Sequence, residues 1–393
     1  MHSAVINIAK IGARFGCVAA VLVMTGCATI EEYNPFSGKS KNKTPPSELV
    51  EFKSSMAVRT AWEASVGDGE KLIFTPAQAG DSIYVAAANG TLARLDGATG
   101  KAAWRIDAGM RLSAGVGADE KTVVVAGEKG MILAFDASGK QRWKMQASSE
   151  VLSAPTVGAD LVLVRSVDNR ISAYDAETGA RKWIVQRTVP ALTLRNAPGI
   201  TIDRQVAYVA LPGGRLIAVT LKSGAVLWEA AVGDPKGSTE LERIADTSGS
   251  PVVIGRDVCA VAFQGRVACF DTGNGAQRWS KELSSDVGVA ADERFVFAAD
   301  ERGSVSAFAR DGGVSVWRNS KLAYRRLSVP VSFGRAVAVG DAQGYIHFLS
   351  REDGAFLARV RADKSAIIAA PVVAGANLVF QTQSGTVVAL TTE

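Results

Sequence analysis

The sequence predicts an all-β fold: an eight-bladed β-propeller of four-stranded blades, its ring closed by the N- and C-terminal strands. Three observations predict it. A phrase made of an alternating strand, an Asp-x-x-Thr-Gly turn and a Trp-bearing strand recurs along the chain. A Gly-centred hairpin precedes each copy at a fixed distance. Apolar residues alternate with period two, as in Ile83-Tyr84-Val85 and from Thr122 to Val125, which excludes helical repeats.

The phrase is clearest from Leu92 to Trp104, and it returns from Ala173 to Trp183 and from Asp271 to Trp279. With Asp96 as the turn-opening marker, its equivalents are Asp136, Asp175, Thr220, Asp271, Ala309, Ser350 and Thr391. Successive markers lie 38–41 residues apart, except for intervals of 45 before Thr220 and 51 before Asp271. Six residues ahead of the markers stand Gly90, Gly130, Asn169, Gly214, Gly265, Gly303, Gly344 and Gly385. These positions suit hairpin turns that want a positive φ, for which Asn is the next best tenant. Four strands in about 40 residues is the unit of a propeller blade.

The tryptophans predict the packing. Trp104, Trp143, Trp183, Trp228, Trp279 and Trp317 each lie four residues after a turn glycine. The copy with Gly354 has Ala358 instead, and the last copy stops at Glu393 before reaching its Trp strand. Trp62, upstream of the first full copy, is expected to supply that missing strand, so that closure removes the open edges. Seven residues in one repeat position read as wedges between blades, each burying about 150–250 Å², rather than as a binding groove.

Ahead of the repeats, Lys10 and Arg14 precede an apolar run from Phe15 to Met24, too short to span a bilayer. It closes on Met24-Thr25-Gly26-Cys27, which resembles the bacterial lipobox. Residues 1–26 are therefore expected to be a signal peptide and Cys27 the lipidated N-terminus; Ala28 favours sorting to the outer membrane. Residues 27–56, with their Pro, Gly and Lys, read as a flexible tether, and residues 57–393 as the propeller.

Net charge is +5, but the cations are interspersed with acids and leave no footprint for nucleic acid. Without the leader the chain has one histidine, His347, in an ordinary third strand. No His-based nucleophile arrangement or His-rich metal site can be built from it. The pairs Asp300-Glu301 and Glu352-Asp353 fall at turn positions, where Asp bonds its own backbone. No catalytic residue, cofactor or metal is expected. Cys259 and Cys269 flank Gln264-Gly265. A two-residue turn there would set residue 259 against 270 and leave two free thiols on opposite faces.

Function is expected where the repeat is spaced too widely. Residues 189–198 and 233–246 each follow the Trp strand of consecutive copies, so they should emerge side by side on the face of the Gly hairpins. The first carries Leu192, Leu194 and Arg195; the second carries Asp234, Glu240, Glu242 and Asp246. Apolar anchors with Arg inside a polar rim suit a protein partner. The alternative is that the leucines fold beneath their own loop.

The repeat resembles that of quinoprotein dehydrogenases, which bind pyrroloquinoline quinone in an eight-bladed propeller. The adjacent Cys pair of that family is absent here, and nothing marks a calcium site. The whole chain is similar to the BamB family, lipoproteins of the outer-membrane β-barrel assembly machinery. The likeness is carried by the lipobox, the tether, the eight repeats and the loops Pro190–Arg195 and Gly237–Arg243. That resemblance implies a non-enzymatic scaffold on the periplasmic face of the outer membrane. Its implied partners are the POTRA domains of a BamA-like Omp85 protein, other Bam lipoproteins and nascent barrel precursors. Leu192, Leu194 and Arg195 match the family's first contact loop. Its Asp-x-Asp pattern meets Asp246-Thr247-Ser248, so Asp246 alone matches. The rivals are a periplasmic quinoprotein-like oxidoreductase, which predicts quinone and calcium binding, and a glycan- or wall-binding propeller. Exposed blade edges are also suited to pairing with a nascent strand.

Overall fold

The computed structural model describes residues 44–195 and 198–393; Cys27 and the 1–26 segment lie outside the described residues. Among the described residues, eight four-stranded antiparallel sheets form the propeller. Blade 1 is Ala77–Ala79, Ser82–Ala86, Thr91–Asp96 and Ala102–Asp107. Blades 2 to 7 span residues 117–146, 156–186, 200–231, 247–282, 289–319 and 331–361. Blade 8 takes three strands from the C-terminus, Val372–Ala374, Asn377–Gln381 and Thr386–Thr392, and its outermost from the N-terminus, Val58–Ser65. All eight markers end a third strand or fall in its last residues, as expected.

Burial follows position in the blade. Second strands such as Ser82–Ala86 and Thr122–Ala126 are buried throughout, because a neighbouring blade covers each face. Fourth strands alternate: in Arg181–Gln186 Trp183 points inward and its neighbours outward. In every blade the pairing of third and fourth strands slips by one residue just before the Trp position. This bulge turns the indole toward the next blade. Trp62 sits opposite Ala389, as Trp183 sits opposite Ala173, so the closing strand repeats the register of an internal one.

Each of the seven indoles donates its Nε1–H across the blade boundary, at 2.7–3.0 Å, to the carbonyl just after the next marker. The turn glycine of that next blade makes room. A Cβ on Gly224 would lie 2.6 Å from the Trp183 ring, at a φ of +71°. The turn's Asp serves its own loop: Asp175 accepts from the Thr178 N–H and hydroxyl at 2.9 Å. With Lys182 beside it, these bonds hold its carboxyl down at about 2. The boundary of blades 7 and 8 lacks a Trp, since Ala358 occupies its place. There Met56, 5% exposed, joins Phe348, Leu357, Ile367 and Phe380.

Two expectations are corrected. Cys259 and Cys269 are disulfide-bonded, not free. The ladder pairs Val261 with Val267, which leaves an odd number of residues in the turn and puts Cys259 directly opposite Cys269. A register one residue from the expected one moves both thiols to the same face. Gln264, not Gly265, takes the positive φ there, at 48°. The second correction concerns the tether. Ordered contacts begin at Ser47, whose N–H donates to the Ala323 carbonyl at 2.9 Å, ten residues before the expected start at Ala57.

Candidate functional site: a two-loop face

The widened intervals fall between fourth and first strands, so both insertions leave on the face of the second-to-third-strand hairpins. The first runs from the end of Arg181–Gln186 in blade 3, the second from the end of Val226–Ala231 in blade 4. The first is seated at its root by buried Asn169 in the blade 3 hairpin, which donates from Nδ2 to the Thr188 carbonyl at 2.9 Å. Asn169 takes the positive φ expected of it, 61°.

Asp246 joins the insertions. It is 1% exposed. One carboxylate oxygen accepts the Leu194 N–H at 2.5 Å and the other the Gly213 N–H of the blade 4 hairpin at 2.9 Å. Its own carbonyl accepts the Phe263 N–H from the blade 5 hairpin. One residue thus ties together the first insertion and the hairpins of blades 4 and 5. Burial pushes its carboxyl above the usual range, while the Gly213 and Leu194 amides and the Arg165 charge pull the other way. The expectation that Asp246 meets a partner directly therefore gives way to a place beneath the loops. Ser248, also 1% exposed, donates its hydroxyl toward the Asp246 carbonyl.

The outer residues differ from one another. Leu192 is 46% exposed, Leu194 is half-buried, and Arg195 extends outward to an ion pair with Glu150 at 2.5 Å. The leucines therefore do not share one fate: Leu192 faces solvent, while Leu194 packs where its amide meets Asp246. Asp234 pairs with Arg266 at 3.5 Å and Glu240 with Arg243 at 3.6 Å.

Glu242 turns back on its own loop, accepting the Ser238 and Thr239 N–H groups at 2.8 and 3.1 Å, and the Thr239 hydroxyl accepts the Glu242 N–H. This is a capping box on a single turn. The two backbone N–H groups and the Thr239 hydroxyl hold its carboxyl below the usual range. The turn thrusts out Leu241, 68% exposed, which sequence reasoning passed over. The signal was present in Thr239-x-x-Glu242 around an isolated Leu. A cleft of about 440 Å³ lies between the insertions, with Thr188 and Pro190 on one side, Pro235 on the other and Pro212-Gly213 as its floor. The two loops and this cleft offer exposed apolar tips, an oriented guanidinium and mixed charge on a braced base.

A second cavity, about 410 Å³, lies among the first strands; Pro155, Val289, Val331 and Pro371 line it with one carboxylate, Asp286. Among the described residues no group of three or more His, Cys, Asp or Glu is arranged to hold a metal ion. No described helix is long and apolar enough to cross a membrane.

The chain is similar to known proteins over most of its length. The family model described as outer membrane protein assembly factor BamB matches residues 88–319 and 301–393. The outer membrane protein assembly factor BamB of Bordetella pertussis is 43% identical over 368 residues, covering 93% of this chain and 95% of that one. That of Burkholderia pseudomallei is 42% identical over 377 residues, covering 96% and 97%. The crystal structure of BamB from Moraxella catarrhalis superimposes with a TM-score of 0.78 at 27% identity, covering 85% of this chain and all of that one. A quinohemoprotein alcohol dehydrogenase from Comamonas testosteroni gives 0.67 at 14% identity, a likeness of fold alone.

Proposed function

The chain belongs to the BamB family of outer membrane protein assembly factors, and from that premise we propose a non-enzymatic scaffold that docks through its two-loop face. Its partner is the POTRA region of a BamA-like protein, alongside other Bam lipoproteins, and its service is to barrel precursors on their way into the outer membrane. Cys27 carries the lipid that keeps the propeller on the periplasmic side.

One observation carries this reading: the Asp246 carboxylate grips the Leu194 amide. A loop braced in this way presents Leu192 and Arg195 in one preset geometry, which lowers the ordering cost of association. Leu241 from the neighbouring insertion widens the apolar contact, and the cleft beside Pro190 is large enough for a partner side chain. The abundance of turn and wedge residues elsewhere supports architecture rather than catalysis.

The test is co-purification with the BamA-like partner, comparing wild type with the Leu192→Ala/Leu194→Ala/Arg195→Ala triple variant. Recovery should fall at least tenfold while the circular dichroism spectrum stays native. Undiminished recovery by the folded variant would overturn the assignment of the docking face.

A further inference from the structure

The docking face leaves unused the most deeply buried charged cluster described in the molecule. It lies in blade 7, around His347. The imidazole is fully buried and bridges two groups. Its Nε2 lies 2.9 Å from an Asp341 carboxylate oxygen, and its Nδ1 accepts from Arg359 Nε at 3.2 Å. That pair of partners defines a neutral ring, since Nδ1 must keep its lone pair to accept. Arg325 Nε donates to the same Asp341 oxygen at 2.7 Å.

Both arginines reach onward to one segment. Arg359 donates to the Val50 carbonyl at 3.1 Å, and Arg325 to the Ser47 carbonyl at 2.9 Å. Residues 50–55 lie along the outer strand Phe356–Arg361. Phe52 stacks on Phe356 with ring centroids 5.2 Å apart, and the Arg359 guanidinium lies 5.0 Å from the Phe52 ring. The Ser55 N–H donates to the Leu357 carbonyl. The two arginines of the cluster hold residues 47–52, with Ser47 bonded besides to the Lys321 and Ala323 carbonyls, whereas Ser54, Ser55 and Met56 are held independently of the ring by Leu357, Arg335 and the blade 7–8 core.

We propose that residues 47–52 form a strap latched to blade 7 through His347, and that protonation of this ring releases it. A proton on Nδ1 removes the acceptor for Arg359 and sets a third cation against two guanidiniums. Arg359 must then withdraw, and with it go the Val50 bond and the cation–π contact on Phe52. Every charged group around the ring bears on this. Arg359 and Arg325 oppose protonation. Asp341 favours it, but shares its charge with Arg325. Glu51, on the strap itself, acts on the ring only through Arg359, and Tyr345 lies tilted beside the ring with Arg325 and Arg361 over its face.

Burial pushes the imidazole below its ordinary value, and the two arginines add to that against the pull of Asp341. In the released state the ring returns toward about 6.5. The closed state therefore binds fewer protons than the open one, and the strap is fully held above that value and weakens as pH falls through it. Release frees six residues, about 20 Å of added reach for whatever lies upstream. On the reading of Cys27 as the anchor, acid lengthens the tether; the latch itself does not depend on that reading.

Hydrogen exchange at the Ser47 amide of the purified full chain reads the strap directly, its rate corrected for the intrinsic value at that pH. Protection should fall about tenfold between pH 7.5 and 5.5 in the wild type, as one proton per opening requires. It should stay level in His347→Gln, which keeps a donor and an acceptor but does not titrate. Level protection in the wild type, or the same fall in the variant, would overturn the latch. If His347→Gln fails to hold the strap at any pH, the ring resonance of His347 in the wild type decides. A midpoint coinciding with strap loss supports the proposal, and strap loss with a ring that remains neutral defeats it.

Discussion

At the scale of single residues, Asp246 shows how a side chain serves a surface from below it. Both carboxylate oxygens are spent on backbone N–H groups of different elements, with 1% of the residue exposed. Asp246→Ala leaves two N–H groups without their acceptor, so we expect a loss of about 1–3 kcal/mol in urea denaturation. Partner recovery should fall as well, although no side chain on the outer surface has changed. The exposed tip Leu192 was legible in the sequence as a Leu in a polar loop, whereas Leu241, equally apolar and more exposed, was passed over. The burial of Asp246 was not legible: an acidic residue near the end of a charged insertion reads as rim, and only the folded loops show that two amides converge on it.

Among elements, the recurrent unit is the bulged outer strand with its Trp and the turn glycine that receives it. Gly224→Ala forces a Cβ to 2.6 Å from the Trp183 ring at a φ of +71°. We expect it to cost about 2 kcal/mol or more in chemical denaturation. In a Trp183→Ala background the same change should cost only the backbone strain, and the double-mutant cycle should return a coupling of at least about 1 kcal/mol. Full additivity would show that the glycine is needed for its φ alone. Repeat spacing revealed this unit, since Trp four residues after Gly recurs six times. Turn length in the hairpins was less legible. Gln264-Gly265 looks like a two-residue turn, yet the ladder closes at Val261–Val267, and that single residue decides whether Cys259 meets Cys269.

For the molecule as a whole, the ring depends on a strand from the far end of the chain. Val58–Ser65 pairs along Thr386–Thr392 and delivers Trp62 to the carbonyl of Gly97 in blade 1. A chain beginning at Val66 is left with an open edge and no wedge between blades 8 and 1. We expect it to lose its cooperative melt in scanning calorimetry and to aggregate, whereas a chain beginning at Ala57 keeps a closed ring. Equal melting of the two would show that closure contributes little.

The sequence by itself determined the number of blades, their boundaries, the closing strand and the two loops where function was to be sought. These follow from local period, turn chemistry and counting, which need no knowledge of what lies across space. The tertiary structure alone decided what the loops rest on, which cysteines meet, and where the segment before Ala57 goes. Each of these depends on contacts between residues distant in the chain: Leu194 with Asp246, and Val50 with Arg359. Burial and register set such contacts, and neither leaves a periodic mark in the order of residues.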